Sequence, residues 1–174
     1  MDITVKQSIN VNVNVYVENT YTGNLPQTSL DLTKSIPWSD WMKTWLNTLS
    51  RTAELAPDCE LSLRLASDRQ IQALNQQYRA LPQPTDVLAF AATEAEILIP
   101  QDLAEPLYLG DMIISLDTAA KQATEQQHSL LVELAWLSSH GLLHLLGWDH
   151  PDNDSLQQML NLQSELIKLL HFEQ

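Results

Sequence analysis

Residues 130–150 read LLVELAWLSSHGLLHLLGWDH. Apolar residues fill 11 of the 17 positions from 130 to 146 and make this the longest apolar stretch of the chain, wider than the one-sided apolar stripe of a surface helix. The stretch nevertheless carries Glu133 and two histidines, and ionisable side chains of this kind argue against a membrane span. We therefore expect residues 129–146 to form a buried helix of a soluble domain.

The flanking sequence predicts a small sheet for this helix to cover. Alternating or continuous apolar residues predict four strands, over 9–17, 61–65, 87–91 and 107–115. Helical spacing predicts four further helices, over 37–55, 67–78, 117–127 and 154–172, the last capped by Asp154. The polar residues 18–35 and the acidic stretch around Pro100 predict loops. Because strands and helices intermix irregularly, the predicted class is α+β, a small mixed β-sheet of about four strands covered by about five helices in a single domain.

Charge and cysteine content restrict the function classes. Nine basic residues against 22 acidic ones give a net charge of −13 and a pI near 4.5, which argues against non-specific binding to nucleic acid. An anionic ligand would have to be held by a few placed arginines, a metal or helix N-termini. The single cysteine, Cys59, excludes an intramolecular disulfide, and the N-terminus lacks a signal-peptide pattern. We expect a cytoplasmic protein without membrane partners.

Three histidines, at positions 140, 144 and 150, fall within eleven residues. Residues four apart on a helix share one face, so His140 and His144 can present two imidazole nitrogens to one ion. A continued helix would carry His150 some 15 Å beyond His140, at about 1.5 Å per residue. Gly147 can instead end the helix in a left-handed turn and let the chain double back. The spacing predicts a metal site made of all three histidines.

Three nitrogen ligands leave the fourth position of a tetrahedral zinc ion open, which is the catalytic pattern. We therefore expect one Zn²⁺ per chain. Asp149 is predicted to belong to this catalytic site, either by orienting a ligand histidine or by capping the turn. His128 and His171 lack such spacing and are expected at the surface.

A metallopeptidase is one alternative. Metzincin peptidases share the spacing H-x3-H-x2-G-x2-H, but they carry a glutamate directly after the first histidine as the general base. In this chain that position is Gly141. Peptide hydrolysis would therefore lack its usual base, and the sequence disfavours it.

The motif H-G-x-L-H-L-x-G-x-D-H at 140–150 resembles the signature of the YbeY family of rRNA maturation factors, which are metal-dependent endoribonucleases specific for single strands. Further segments agree with that family: LNQQYR at 74–79, PTDVLAF at 84–90, GDMIIS at 110–115 and residues 125–133. The resemblance implies zinc on His140, His144 and His150, and a functional arginine at Arg79. Residues 37–174 would then form a metal-dependent hydrolase core, and residues 1–36 would add an N-terminal strand and loop to the same domain.

The resemblance implies a single-stranded rRNA precursor as substrate, and with it a role in 16S-type precursor maturation and ribosome biogenesis. Four positions depart from the family pattern: Ala80 replaces glycine, Gln83 a basic residue, Ala89 serine and Ala91 proline. The loss of positive charge, added to the net charge of −13, predicts weak binding to free RNA and delivery by a ribosomal small-subunit particle or a basic ribosomal protein. A second alternative is a non-catalytic ribosome assembly factor with a structural zinc.

Overall fold

The computed structural model describes residues 10–51, 55–94 and 106–172. Its strands are β1 (Asn12–Asn19), β2 (Asp58–Ala66), β3 (Val87–Ala91) and β4 (Leu107–Ser115). Its helices are α1 (Gln27–Ser35), α2 (Trp38–Leu49), α3 (Asp68–Arg79), α4 (Leu116–Glu125), α5 (Leu130–Leu145) and α6 (Asn153–Lys168). A 3₁₀ turn, Ala92–Glu94, follows β3. The architecture is the predicted α+β domain with a four-stranded mixed sheet.

The strands lie in the order β1-β2-β4-β3. β1 and β4 pair with β2 in parallel, and β3 runs antiparallel to β4 as an edge strand. A register shift between Glu60 and Leu61 coincides with Gly110 of β4, whose φ is +135°. A Cβ atom on Gly110 would lie 2.1 Å from the Phe90 carbonyl oxygen, so only glycine lets β3 pair this closely.

The two faces of the sheet are covered unequally, as the alternation of its side chains dictates. The larger apolar cluster lies on the face covered by α2, α5 and α6, and it includes Leu61, Leu63, Met112, Ile114 and Trp45. The opposite face carries a smaller cluster beneath α3, formed by Ala66, Ile71, Leu88 and Ile113. The sheet is therefore the middle layer of a helix–sheet–helix arrangement in which the side holding α5 contains most of the core.

The central helix α5 packs against β3 and β4 through its glycine. A Cβ atom on Gly141 would lie 2.7 Å from the Sδ atom of Met112, so a larger residue would have to displace that buried side chain.

None of the helices in the described part of the chain combines the length and the hydrophobicity that a membrane span requires.

Most predicted elements are confirmed, some of them to the residue. β3 and β4 match their predicted bounds, and α3, α4 and α5 begin and end within two residues of theirs. β2 extends the predicted strand in both directions, β1 begins and ends later than predicted, and α2 ends at Leu49. Three predictions fall wholly or partly outside the described residues: the start of the first strand at Ile9, the part of helix 37–55 beyond residue 51, and the loop at Pro100.

Two predictions are wrong. The stretch 18–35, expected as a loop, continues β1 to Asn19 and then forms α1, because Leu25 and Leu30 pack against the core while Thr33 is buried. The last helix is capped by Asp152 rather than Asp154 and ends at Lys168. Asp152 has the extended backbone of a cap, and its carboxylate accepts a hydrogen bond of 2.7 Å from the Ser155 backbone N–H.

Candidate metal centre

The last turn of α5 determines where the third histidine lies. Gly147 has a φ of +91° and follows the helix in the left-handed conformation that the sequence predicts. The Gly147 N–H donates to the His144 carbonyl at 3.0 Å, and the Trp148 N–H donates to the Leu143 carbonyl at 3.0 Å. These two bonds form a Schellman motif, which satisfies the terminal carbonyls and reverses the chain.

The reversal brings the three predicted histidines together. One ligand nitrogen from each of His140, His144 and His150 lies within 4.8 Å of the other two. The ring centroids are 4.5 Å apart for His140 and His144, 5.7 Å for His140 and His150, and 5.4 Å for His144 and His150. Nitrogens bound to a tetrahedral zinc at about 2.0–2.1 Å lie roughly 3.3 Å apart. The cluster is therefore compact enough to hold one metal ion.

Hydrogen bonds orient two of the imidazoles toward this centre. The Nδ1 atom of His140 lies 3.0 Å from Oε1 of Gln163, and the Gln163 amide donates to the Trp136 carbonyl at 3.3 Å. Because the amide nitrogen is used in this way, Oε1 is the acceptor, and His140 keeps its Nε2 lone pair for a ligand. The Nε2 atom of His144 lies 2.9 Å from Nε2 of His140, within hydrogen-bond distance.

The environment favours the neutral, ligand-competent form of His144. Burial lowers the pKa of this imidazole, and the neighbouring His140 and His150 lower it further, while the Trp148 backbone and Asp149 oppose the shift. A metal ion binds neutral imidazole and competes with protons for it. The arrangement is therefore suited to metal binding at neutral pH.

The predicted arginine lies in the cleft that contains this centre. A cavity of about 620 Å³ is lined by Arg79, His140, His144, Trp148 and Asp149, together with loop and strand residues from 81 to 89. The Arg79 guanidinium donates to the Ala89 carbonyl at 3.3 Å and lies 5.9 Å from the centroid of the Phe90 ring. These contacts bring the end of α3 against edge strand β3.

Asp149 makes a local contact. Its carboxylate accepts a hydrogen bond of 2.8 Å from the His150 backbone N–H, which holds the turn leading to the third histidine. This contact corresponds to the predicted capping of the turn. His171 is exposed, as expected, whereas His128 is half-buried and its Nε2 contacts the buried carboxylate of Glu133.

Sequence reasoning missed Gln163 and gave Trp148 no role. Gln163 is fully buried on the face of α6 that also carries Met159 and Leu166. An amide in an otherwise apolar stripe is a sequence signal for a polar partner inside the core. Trp148, in contrast, is 39% exposed inside the cleft.

Comparisons with known proteins place this chain among relatives of one family. A family model described as Endoribonuclease YbeY matches residues 26–171. The chain is 55% identical to Endoribonuclease YbeY of Trichormus variabilis over 134 residues, 76% of each chain. It is 48% identical to Endoribonuclease YbeY of Cyanothece sp. over 162 residues, 92% of this chain and 94% of the other.

A solved structure has a similar fold. The solution structure of TM1509 from Thermotoga maritima superposes with a TM-score of 0.53 at 20% sequence identity. The match covers 90% of this chain and 89% of the other. At this identity the likeness concerns the fold alone.

Proposed function

The chain belongs to the endoribonuclease YbeY family, and from this membership we propose that it is a zinc-dependent enzyme that cuts single-stranded RNA during rRNA maturation. The observation that carries the proposal is the convergence of three histidine nitrogens within 4.8 Å, at a cleft that also holds Arg79. The three-nitrogen donor set is that of a catalytic zinc with an open coordination position.

His140, His144 and His150 would hold the ion. When bound, zinc would act as a Lewis acid that neutralises charge on a phosphodiester and activates water. The Arg79 side chain would bind the phosphate, since a planar guanidinium offers two parallel donors to phosphate oxygens. Asp149 would act as a positioning residue by fixing the backbone of His150, and Gln163 would do so through Nδ1 of His140.

The peptidase alternative loses support from packing as well as from sequence. The metzincin general base would stand at Gly141, where a Cβ atom would lie 2.7 Å from the Sδ atom of Met112 and would force that buried side chain to move. The assembly-factor alternative requires the metal to act only on stability. The open cleft beside the histidines favours catalysis over that role.

The negative charge of the cleft and of the whole protein bears on how the RNA substrate reaches the enzyme. Three carboxylates, those of Asp86, Glu94 and Asp149, line the cleft with Arg79. With a net charge of −13, the protein would bind free RNA weakly. We infer that a ribosomal small-subunit particle or a basic ribosomal protein delivers the rRNA precursor, and that the enzyme works in the cytoplasm.

Cleavage assays test the proposal. Purified protein should cut a single-stranded RNA, spare the same sequence in a duplex and leave an unstructured peptide intact. Arg79→Lys should lower the cleavage rate about tenfold or more, because the bidentate fork is lost, and Arg79→Glu should lower it further. Zinc content by elemental analysis should stay unchanged in both variants.

Arg69→Glu is the matched control, since it makes the same charge change at the exposed start of α3, away from the cleft. It should cleave like the native protein. Native cleavage by Arg79→Glu would remove Arg79 from the site. Chelator-sensitive proteolysis without RNA cleavage would replace the nuclease with the peptidase.

A further inference from the structure

Trp148 stands out among the tryptophans by its exposure. Trp38, Trp41 and Trp45 are buried in the core and Trp136 is half-buried, whereas 39% of Trp148 remains exposed. Large apolar side chains left in solvent inside a cleft are common at binding sites. The Trp148 ring is the one tryptophan, tyrosine or phenylalanine ring among the cleft residues that the structure describes.

The backbone holds Trp148 close to the metal centre. Its N–H donates to the Leu143 carbonyl and completes the Schellman motif at the end of α5. The ring therefore belongs to a residue held by the turn that directly follows a proposed metal ligand, His144. Ordering a substrate on this residue would not require the turn to be rebuilt.

Charge gives the cleft little affinity for RNA. Arg79 is the one lysine or arginine among the described cleft residues, and three carboxylates accompany it. Phosphate contacts supply most of the affinity of ordinary RNA-binding surfaces, and this cleft offers few of them. Stacking of a base on an aromatic ring needs no positive charge and tolerates any base, because every base has a π-face.

We propose that Trp148 is the platform on which a nucleobase next to the cleaved phosphate stacks. This inference rests on the proposed function, and it gives a physical reason why the enzyme would cut single-stranded RNA and not a duplex. A base must leave its own helix before it can lie on the indole, so a duplex would be excluded from this contact. Selection of single strands would then come from Trp148, and the chemistry would come from the metal and Arg79.

The test uses the zinc-loaded protein and a short single-stranded RNA with a mapped cleavage site. Two further RNAs each carry an abasic nucleotide on one side of the cleaved phosphate. With intact RNA, Trp148→Leu should raise the half-saturating concentration at least about fivefold, the lower end of one stacked base. One of the abasic RNAs should do the same to the native protein. Trp148→Leu and that abasic RNA together should weaken binding no more than either change alone, because both remove the same contact.

Two variants separate stacking from structural damage. Trp148→Tyr keeps an aromatic face and should retain most of the native affinity, with unchanged zinc content. Tyr16→Leu removes another exposed aromatic ring, 57% exposed, from the other face of the sheet and should have no effect. Native affinity of Trp148→Leu for intact RNA would overturn the proposal. So would a further loss of affinity when Trp148→Leu is combined with each of the two abasic RNAs.

Fluorescence makes the result independent of cleavage. Stacking of a base should quench the exposed indole, and this quenching should disappear in Trp148→Leu, whose remaining tryptophans are buried or half-buried. If the native protein cleaves no RNA but shows this quenching, the proposed function fails and the stack stands. If it cleaves RNA with no quenching that depends on Trp148, the stack fails and the proposed function stands.

Discussion

Ala80 holds its backbone in the left-handed region, with φ of 56° and ψ of 27°. It follows Arg79 directly, and both its N–H and that of Leu81 donate to the Asn75 carbonyl, which ends α3 and turns the chain toward the cleft. This conformation raises the free energy of a residue with a Cβ atom by about 1 kcal/mol, whereas glycine adopts it without that strain. The left-handed backbone at position 80 therefore explains why the family pattern has glycine there, where this chain has Ala80.

We predict that Ala80→Gly raises the free energy of unfolding by about 0.5–1 kcal/mol, measured by urea denaturation. Ala73→Gly is the control, because Ala73 is exposed in the interior of the same helix. There the same substitution should lower the free energy by about 1 kcal/mol. A loss of stability in both variants would contradict the assignment of strain to Ala80.

The convergence of the three histidines was predictable residue by residue, since helical spacing and one glycine determine where they point. Gly147 adopts the predicted positive φ, and the three histidines converge as expected. Gln163 was not predictable in this way, because it lies 23 positions from His140 in the chain and meets it only through the packing of α6 on α5.

At the scale of elements, strong patterns predicted well and weak ones did not. β3 and β4 have clear apolar runs, and their bounds match the prediction. The sequence of α1, QTSLDLTKS, has few apolar residues, so composition indicated a loop. Its helix depends on contacts that a local pattern does not contain, including Leu30 against the core and Asp31 with Gln27 and Lys34.

The packing of α6 on α5 is also where we expect metal affinity to be set. Gln163→Leu removes the acceptor for Nδ1 of His140 while keeping the side chain's approximate volume. Zinc affinity should fall about 10- to 100-fold, measured by competition with a chromogenic chelator. Gln157→Leu, at an exposed position of the same helix, should leave the affinity unchanged. Equal affinity in the two variants would show that Gln163 does not position His140.

At the scale of the whole molecule, Cys59 reports on unfolding. The thiol is buried in β2, and burial, with the nearby Asp58 carboxylate, raises its pKa to about 11. The thiolate is the reactive form, so a raised pKa lowers reactivity at every pH below that value. Alkylation near neutral pH therefore requires the protein to open.

We predict slow iodoacetamide labelling of the zinc-loaded protein near pH 8, followed by mass spectrometry, and faster labelling after chelation. An ion that binds only the folded state stabilises it by mass action, so its removal increases the open population. The labelling rate of the denatured chain should rise steeply up to about pH 8.5 and level off by about pH 10, because its thiol titrates near its ordinary value of about 8.5. Equal labelling of folded and denatured protein would contradict the burial of Cys59.

Titration of zinc into metal-free protein, with cleavage of a single-stranded RNA followed at each step, shows whether one ion held by three histidines drives RNA cleavage. We expect no cleavage at the start, a linear rise that stops at about one equivalent of zinc, and no rise in the His140→Ala variant. His171→Ala, at an exposed histidine outside the cluster, should titrate like the native protein. Full cleavage by metal-free protein, or an undiminished response in His140→Ala, would contradict this role of the ion.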